Sequence, residues 1–182
     1  MAKSNPWAKR MQIQFLLQDQ VLTMNARACL FQFGVLKRGT SDGNPIVWMN
    51  VLRTGRTLFG PPARTFVPAI TGDMLAAALE RELGYLRDEI IDKPDSIWKD
   101  VLEYRTYAVL TVCRILYSAE KGTIVSKPVA ARWALRTLPK GWHRVIRQAL
   151  EGDVKMDLSS VRHFLRYAGS VITLGQSNEQ RS

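Results

Sequence analysis

Two basic side chains stand where the local structure would favour something else. Arg114 sits in the middle of residues 107–117 (YAVLTVCRILY), a stretch that is apolar on nearly every side of a helix. A guanidinium placed there needs a partner, because an unpaired buried charge costs several kcal/mol. The partner could be a carboxylate from another helix. The stem could also lie along apolar neighbours at the bundle surface, or the head could reach a ligand phosphate or carboxylate. Lys127 follows Ser126 at the start of a second helix. The backbone dipole at that end favours an anion over a cation by a few tenths of a kcal/mol. Lys127 is therefore either an exposed lysine that tolerates a small cost or one arm of an anion site. Such a site would combine free backbone N–H groups, the Ser126 hydroxyl and the Lys127 ammonium.

The rest of the inventory removes much enzyme chemistry. Only His143 and His163 are available as imidazoles, and neither lies in a Gly-rich turn or beside a candidate nucleophile. With Cys29 and Cys113 at their spacings, no zinc motif can be read. Both cysteines have apolar neighbours and are expected as buried free thiols rather than a disulfide. The formal charge is +10, and it is uneven: residues 1–70 hold 9 basic and 2 acidic side chains, residues 71–182 hold 17 and 14. The basic part suits a soluble surface or a face for phosphates or an acidic partner. Nucleic acid is not expected as a partner, since there is no long Lys/Arg run, RGG tract or aromatic ladder. No apolar run approaches the roughly 20 residues needed to span a bilayer, and no secretory signal is read, so a cytoplasmic location is expected.

The elements that position these residues change character near residue 70. Residues 1–10 read as a frayed arm, 11–18 (MQIQFLLQ) as a strand and 29–36 (CLFQFGVL) as another, with Gly34 marking a bulge or close approach. Residues 37–45 (KRGTSDGNP) read as a loop and 45–53 as a short helix with Pro45 in its first turn. Helices follow: one from Thr71 or Asp73 to Arg87, a long one from Asp95 or Ser96 to Ala119, then 126–138, 139–150 and one opened by Asp157, before a polar tail at 175–182. The expected fold is mostly α. A bundle of about five helices, with Leu110 and Leu116 in its core, follows a small α/β segment. The expected division is 1–69 and 70–182.

Residues 107–139 (YAVLTVCRILYSAEKGTIVSKPVAARWALRTLP) carry a more specific pattern. Leu110, Thr111 and Arg114 form a Leu-Thr-x-x-Arg helix. Tyr117-Ser118, Gly122, Lys127, Trp133-Ala134 and Leu138-Pro139 follow in order. This resembles the C-terminal helical domain of the aminoglycoside (streptomycin/spectinomycin) 3''-adenylyltransferase family. Residues 70–106 match more loosely in helix order. Residues 11–68, with their two strands, helix and Gly60-Pro61 turn, look like the end of that family's nucleotidyltransferase domain. The resemblance implies transfer of AMP from ATP to an aminoglycoside hydroxyl, with Mg²⁺ held on paired carboxylates and a further carboxylate as base. It also implies that Arg114 and Lys127 contact the ATP phosphates.

The departures from that pattern bear on activity. The 182 residues contain no Asp-x-Asp, and the position of the catalytic base falls on Gln12. A neutral amide cannot accept the proton of a substrate hydroxyl. Of two substrate-facing carboxylates, Asp100 holds the first position and Tyr104 replaces the second. Leu36 stands where the family has a Trp, and Leu150 where it has a Tyr. Two readings follow. One is a truncated or degenerate member of the family, inactive alone. The other is a non-catalytic binding or regulatory module that pairs with a separate catalytic chain, with self-association through open strand edges as a further expectation. A helical ribonuclease of the toxin type could use Arg136 and His143, but Pro139 and Gly141 interrupt the helix between them.

Overall fold

The computed structural model describes Trp7 and residues 11–23, 26–32, 34–41 and 43–179, with side chains as far as Ile172. The arm expected at 1–10 lies, Trp7 apart, outside the described residues. The chain divides into two compact units, 1–71 and 72–182.

The first unit holds β1 (Gln12–Phe15), β2 (Arg27–Gln32), β3 (Val35–Thr40) and α1 (Pro45–Thr54). The strands form an antiparallel meander in the order β1-β2-β3, with Phe15 opposite Cys29 and Cys29 opposite Arg38. Here the structure corrects the sequence reading. The strand expected at 29–36 is two strands joined by a tight turn. Gly34, at φ 80°, makes that turn rather than a bulge. Lys37 and Arg38 belong to β3, not to a loop. Cys29 is exposed, because this sheet leaves that position open, so only Cys113 is the buried thiol expected. Burial pushes the Cys113 thiol up to about 12. Helix α1 begins as its sequence suggests: Asn44 Oδ1 accepts from the Ile46 N–H at 3.0 Å, and Pro45 occupies the first turn.

The second unit is a bundle of five helices: α2 (Gly72–Arg87), α3 (Leu102–Lys121), α4 (Lys127–Thr137), α5 (His143–Glu151) and α6 (Leu158–Glu179). The mostly α expectation, with a small sheet ahead of the bundle, holds. Among the described residues no helix is long and apolar enough to cross a membrane. The expected long helix from Ser96 is divided. Ser96 instead caps a 3₁₀ turn at Ile97–Lys99, and α3 starts afterwards. Gly122 closes α3 in the left-handed conformation at φ 60°, where its N–H reaches the Ser118 carbonyl at 2.9 Å. Asp157 opens α6 by accepting from the Ser160 N–H at 2.8 Å. Helix α6 continues through residues read as tail.

Helix α3 packs against α2, α4, α5 and α6. Val112, Cys113, Ile115, Ala130, Ala131, Ala134, Ile146, Val161 and Phe164 are fully buried around it. The three alanines let α4 approach closely. Two side chains tie distant turns to backbone: Arg105 Nη1 donates to the Met156 carbonyl at 2.8 Å, and Arg162 Nε to the Ile90 carbonyl at 3.2 Å. Leu116 is in the core at 3% exposure. Leu110 is only part-buried, a correction explained by the open side of α3 described below. Leu116→Ala should therefore destabilise the protein by about 2–5 kcal/mol in chemical denaturation, and Leu110→Ala by clearly less. Equal losses would contradict this placement of the core.

Candidate functional site

Helix α3 has one side that its neighbours do not cover. Tyr104 and Tyr107 are exposed, and Leu110, Arg114 and Tyr117 are part-buried. These residues are three or four apart, so they share a stripe along the helix. Leu110 is drawn out of the core by its place in that stripe, between Tyr107 and Arg114.

Lys127 is the first residue of α4, and its side chain returns to this stripe. Its Nζ lies 3.1 Å from the centroid of the Tyr107 ring. The π-face attracts the ammonium, a contact worth about 0.5–2 kcal/mol. The surroundings oppose the charge more strongly. Burial first, and Arg114 second, push the Lys127 ammonium down to about 7, with Glu82 of α2 pulling the other way. The Tyr107 phenol is raised by partial burial and by Glu82, and is drawn back by Arg114. Arg114, Lys127, Tyr107 and Glu82 thus form one electrostatic group. Among the described residues neither Arg114 nor Lys127 forms an ion pair with a carboxylate. Ser126, before Lys127, is extended, and its hydroxyl does not cap the helix. The structure brings together the two basic residues singled out from the sequence and gives neither an ion pair, although Glu82 lies near enough to favour the charged Lys127.

The lower end of the stripe is aromatic. Trp98, on the 3₁₀ turn ahead of α3, stacks on Tyr104 at 5.0 Å between centroids and meets Tyr107 edge-on at 5.6 Å and Tyr85 of α2 edge-on at 5.5 Å. The turn is anchored from behind. Ser96 Oγ donates to Glu89 Oε2 at 2.5 Å, and Lys93 Nζ donates to Glu89 Oε1 at 2.6 Å. The Lys93 contact, then Ser96, hold the Glu89 carboxyl below its usual range. At the other end of the stripe Tyr117 meets Trp133 of α4 edge-on at 5.4 Å.

The remaining sequence candidates fall elsewhere. Asp100 is exposed at the end of the Trp98 turn, and its carboxylate has no partner among the described residues. Gln12 is exposed on β1, opposite Gln32, in the other unit. Leu36 is exposed on β3, and Leu150 is part-buried on α5. His143 Nε2 lies 3.1 Å from the Leu138 carbonyl, and a 3₁₀ turn at Lys140–Trp142 separates it from the helix of Arg136. Sequence reasoning did not find Glu82 or the aromatic group. The i, i+3 pair Tyr104 and Tyr107 was a usable signal, but Tyr85 and Trp98 join it only through the fold. Among the described residues no three His, Cys, Asp or Glu side chains are placed to share a metal ion. With no Asp-x-Asp in the chain, the donor set does not fit a two-metal transfer site.

A helical bundle that presents a helix start and a mid-helix arginine on one open side fits the helical part of a nucleotidyltransferase. Residues 66–166, more than half of the chain, match the family model described as the C-terminal domain of aminoglycoside adenylyltransferase. The chain belongs to the aminoglycoside adenylyltransferase family. A curated relative, the aminoglycoside (3'') (9) adenylyltransferase of Escherichia coli, is 42% identical over 72 residues, which make up 36% of this chain and 27% of that protein. The matched stretch thus covers about a quarter of the relative.

The depressed Lys127 makes a prediction about stability. Its folded value of about 7 lies below the ordinary 10.5, so between those values the unfolded chain binds more protons. The charge penalty is complete below pH 7 and fades as pH rises. Lys127→Met should therefore melt higher than the wild type at pH 7, with the gap narrowing towards pH 9. A gap independent of pH would refute the desolvated ammonium.

Proposed function

We propose that Arg114 and Lys127 hold the phosphates of ATP, and that these 182 residues bind the nucleotide without transferring AMP. One observation supports the reading: two neighbouring cations, one of them desolvated, neither in an ion pair among the described residues and with only Glu82 nearby to offset Lys127. An incoming phosphate would supply the missing charge, and the free N–H groups at the start of α4 would add to it. Family membership supports ATP as the nucleotide and an aminoglycoside as the second ligand. Asp100 is then the carboxylate left for the ammonium groups of the drug. Transfer fails in this reading because no paired carboxylates hold Mg²⁺ and Gln12 replaces the base.

ATP titrated calorimetrically at low salt should bind weakly. Affinity should fall with added salt. It should also fall as pH rises above 7, since binding requires the protonated Lys127. Arg114→Ala combined with Lys127→Ala should abolish binding. AMP transfer to streptomycin or spectinomycin should be undetectable. Equal binding by the wild type and the double variant would reject the site, and transfer by the pure chain would reject the lack of catalysis.

A second reading, pairing with another chain, is favoured by one feature of the first unit. Phe15, Leu17, Val35 and Leu36 are each more than half exposed on or beside the sheet. Phe15 and Leu36 lie on one face of the sheet, and exposed apolar groups on such a face mark surfaces that other proteins cover. Sedimentation over a concentration series should show self-association that weakens in a Phe15→Ser, Leu36→Ser variant. A monomer at every concentration would leave a different chain as the partner this reading requires.

A further inference from the structure

Lys127 is set differently from two other lysines of the chain. At Lys93 and Lys121 carboxylates hold the ammonium in its charged form, Asp88 at 2.8 Å from the first and Glu120 at 2.7 Å from the second. Lys127 is part-buried, its Nζ rests 3.1 Å from the Tyr107 centroid, and Arg114 stands on the same stripe. Burial and Arg114 both disfavour the ammonium, and Glu82 of α2 offsets them only in part. Helix α5 also packs on α4, but among the described residues no charged group of α5 acts on Lys127. At pH 7 about half of the Lys127 side chains then carry a free lone pair, against roughly one in a few thousand for an ordinary lysine. Desolvation beside a second cation is one way in which a lysine becomes a nucleophile towards carbonyl groups. Tyr107 and Arg114 keep part of their surface in solvent, so the amine lies at the open side of α3 and not inside the bundle.

We propose that Lys127 is a covalent site for aldehydes that carry an anionic group, with the aldehyde carbon bonded to Nζ and the anion held by Arg114. The proposal rests on the part of the reading above that gives Arg114 and Lys127 to an anion, and it adds a bond that ATP does not form. The step needs no oxidant or reductant. The Nζ lone pair attacks the carbonyl carbon, and a proton passes from nitrogen to oxygen. The carbinolamine then loses water to leave a C=N bond, and hydrolysis reverses the sequence. A neutral imine suits the position better than the ammonium it replaces, because burial and Arg114 penalise charge there. Arg114 supplies the selectivity. Its planar guanidinium has no ion pair among the described residues and matches a phosphate or carboxylate. An uncharged aldehyde would gain the bond alone. The adduct would occupy both cations and so block them reversibly to nucleotide phosphates.

The test exposes the folded chain at low salt, for timed intervals, to limiting pyridoxal phosphate or to 5'-deoxypyridoxal, which lacks the phosphate. Borohydride then reduces each imine to a stable secondary amine, and peptide mass mapping reads the nine lysines separately. Lys127 should be labelled first, roughly 10-fold faster or more than any other lysine. Its rate should rise with pH to about 7 and level off above, because the amine is already free there. Pyridoxal phosphate should outpace 5'-deoxypyridoxal at Lys127 by roughly 10-fold, the scale of a hydrogen bond to a charged group. Arg114→Ala, checked for helicity, should bring the two aldehydes together, and the denatured chain should be labelled evenly. Even labelling of the folded chain, or a Lys127 rate that keeps climbing to pH 9, would overturn the proposal. So would a preference for Lys127 that persists in the denatured chain. Equal rates for the two aldehydes, or a phosphate preference that survives Arg114→Ala, would overturn the place of the anion on Arg114. The nucleotide reading fails in a different way: added ATP should slow labelling of Lys127 alone, and a rate that ATP leaves unchanged would reject ATP binding while the reactive lysine stands.

Discussion

Burial of α3 is the constraint on which the second unit depends. Four other helices pack on it. Most side chains it carries are therefore apolar, hydrogen-bonded or on the one strip left open, though the Ser118 hydroxyl is buried without a hydrogen-bond partner. Val112, Cys113, Ile115 and Leu116 meet the first condition. Arg105 meets the second in part: Nη1 donates to the Met156 carbonyl, while Nε is buried without a partner. Tyr104, Tyr107, Leu110, Arg114 and Tyr117 meet the third. The open strip follows from the bundle geometry: α2 and α4 flank α3, and the start of α4 delivers Lys127 to the gap. Gly122 matters here because its left-handed turn ends α3 and lets the chain reverse before Ser126.

That arrangement places two cations together without neutralising them. Packing alone would favour a leucine at 114 and an acidic or neutral residue at 127. The Tyr107 ring offsets part of the Lys127 cost, and Glu82 part of the rest, but neither forms an ion pair with it. Of the structural roles open to Arg114, an ion pair with a facing carboxylate is not formed among the described residues, which leaves a part-buried guanidinium on the open side of α3 with its stem along apolar neighbours. The same lack of pairing keeps both side chains available to a ligand.

Much of this was legible in the sequence, and the reasons are local. Arg114 breaks an apolar run, and Lys127 opposes a helix dipole. Each is a conflict that a single chain position reveals. The starts of α1 at Pro45, of α4 after Ser126 and of α6 after Asp157 were readable from a few adjacent residues, although of Ser126 and Asp157 only Asp157 caps its helix through its side chain. The aromatic group was not readable. Tyr85 and Trp98 lie on separate elements, and only the 3₁₀ turn fixed by Ser96 and Glu89 brings them to Tyr104. Leu110 was misjudged because an apolar residue carries no mark of which side of a central helix stays open. The β2–β3 hairpin was read as one strand and a loop. Lys37 and Arg38 look like loop residues until the antiparallel partner that exposes them is known. Gln12 shows the same limit from the other side. Its type bears on proton transfer wherever it stands, but its exposure on β1 says nothing of a shared site.

Binding and transfer separate cleanly in such a protein because they draw on different atoms. Phosphate recognition needs fixed positive charge, and the second unit holds that charge within its own bundle. Transfer needs negative charge: carboxylates to hold metal ions opposite the phosphates and another to accept a proton. A cation pair that stabilised the bound nucleotide and the transition state equally would raise affinity without raising rate. On the proposed reading, a chain that retains the first set of groups without the second would hold the nucleotide without passing on AMP. What the second unit itself shows is a desolvated lysine on an aromatic ring, beside an arginine that has no ion pair among the described residues.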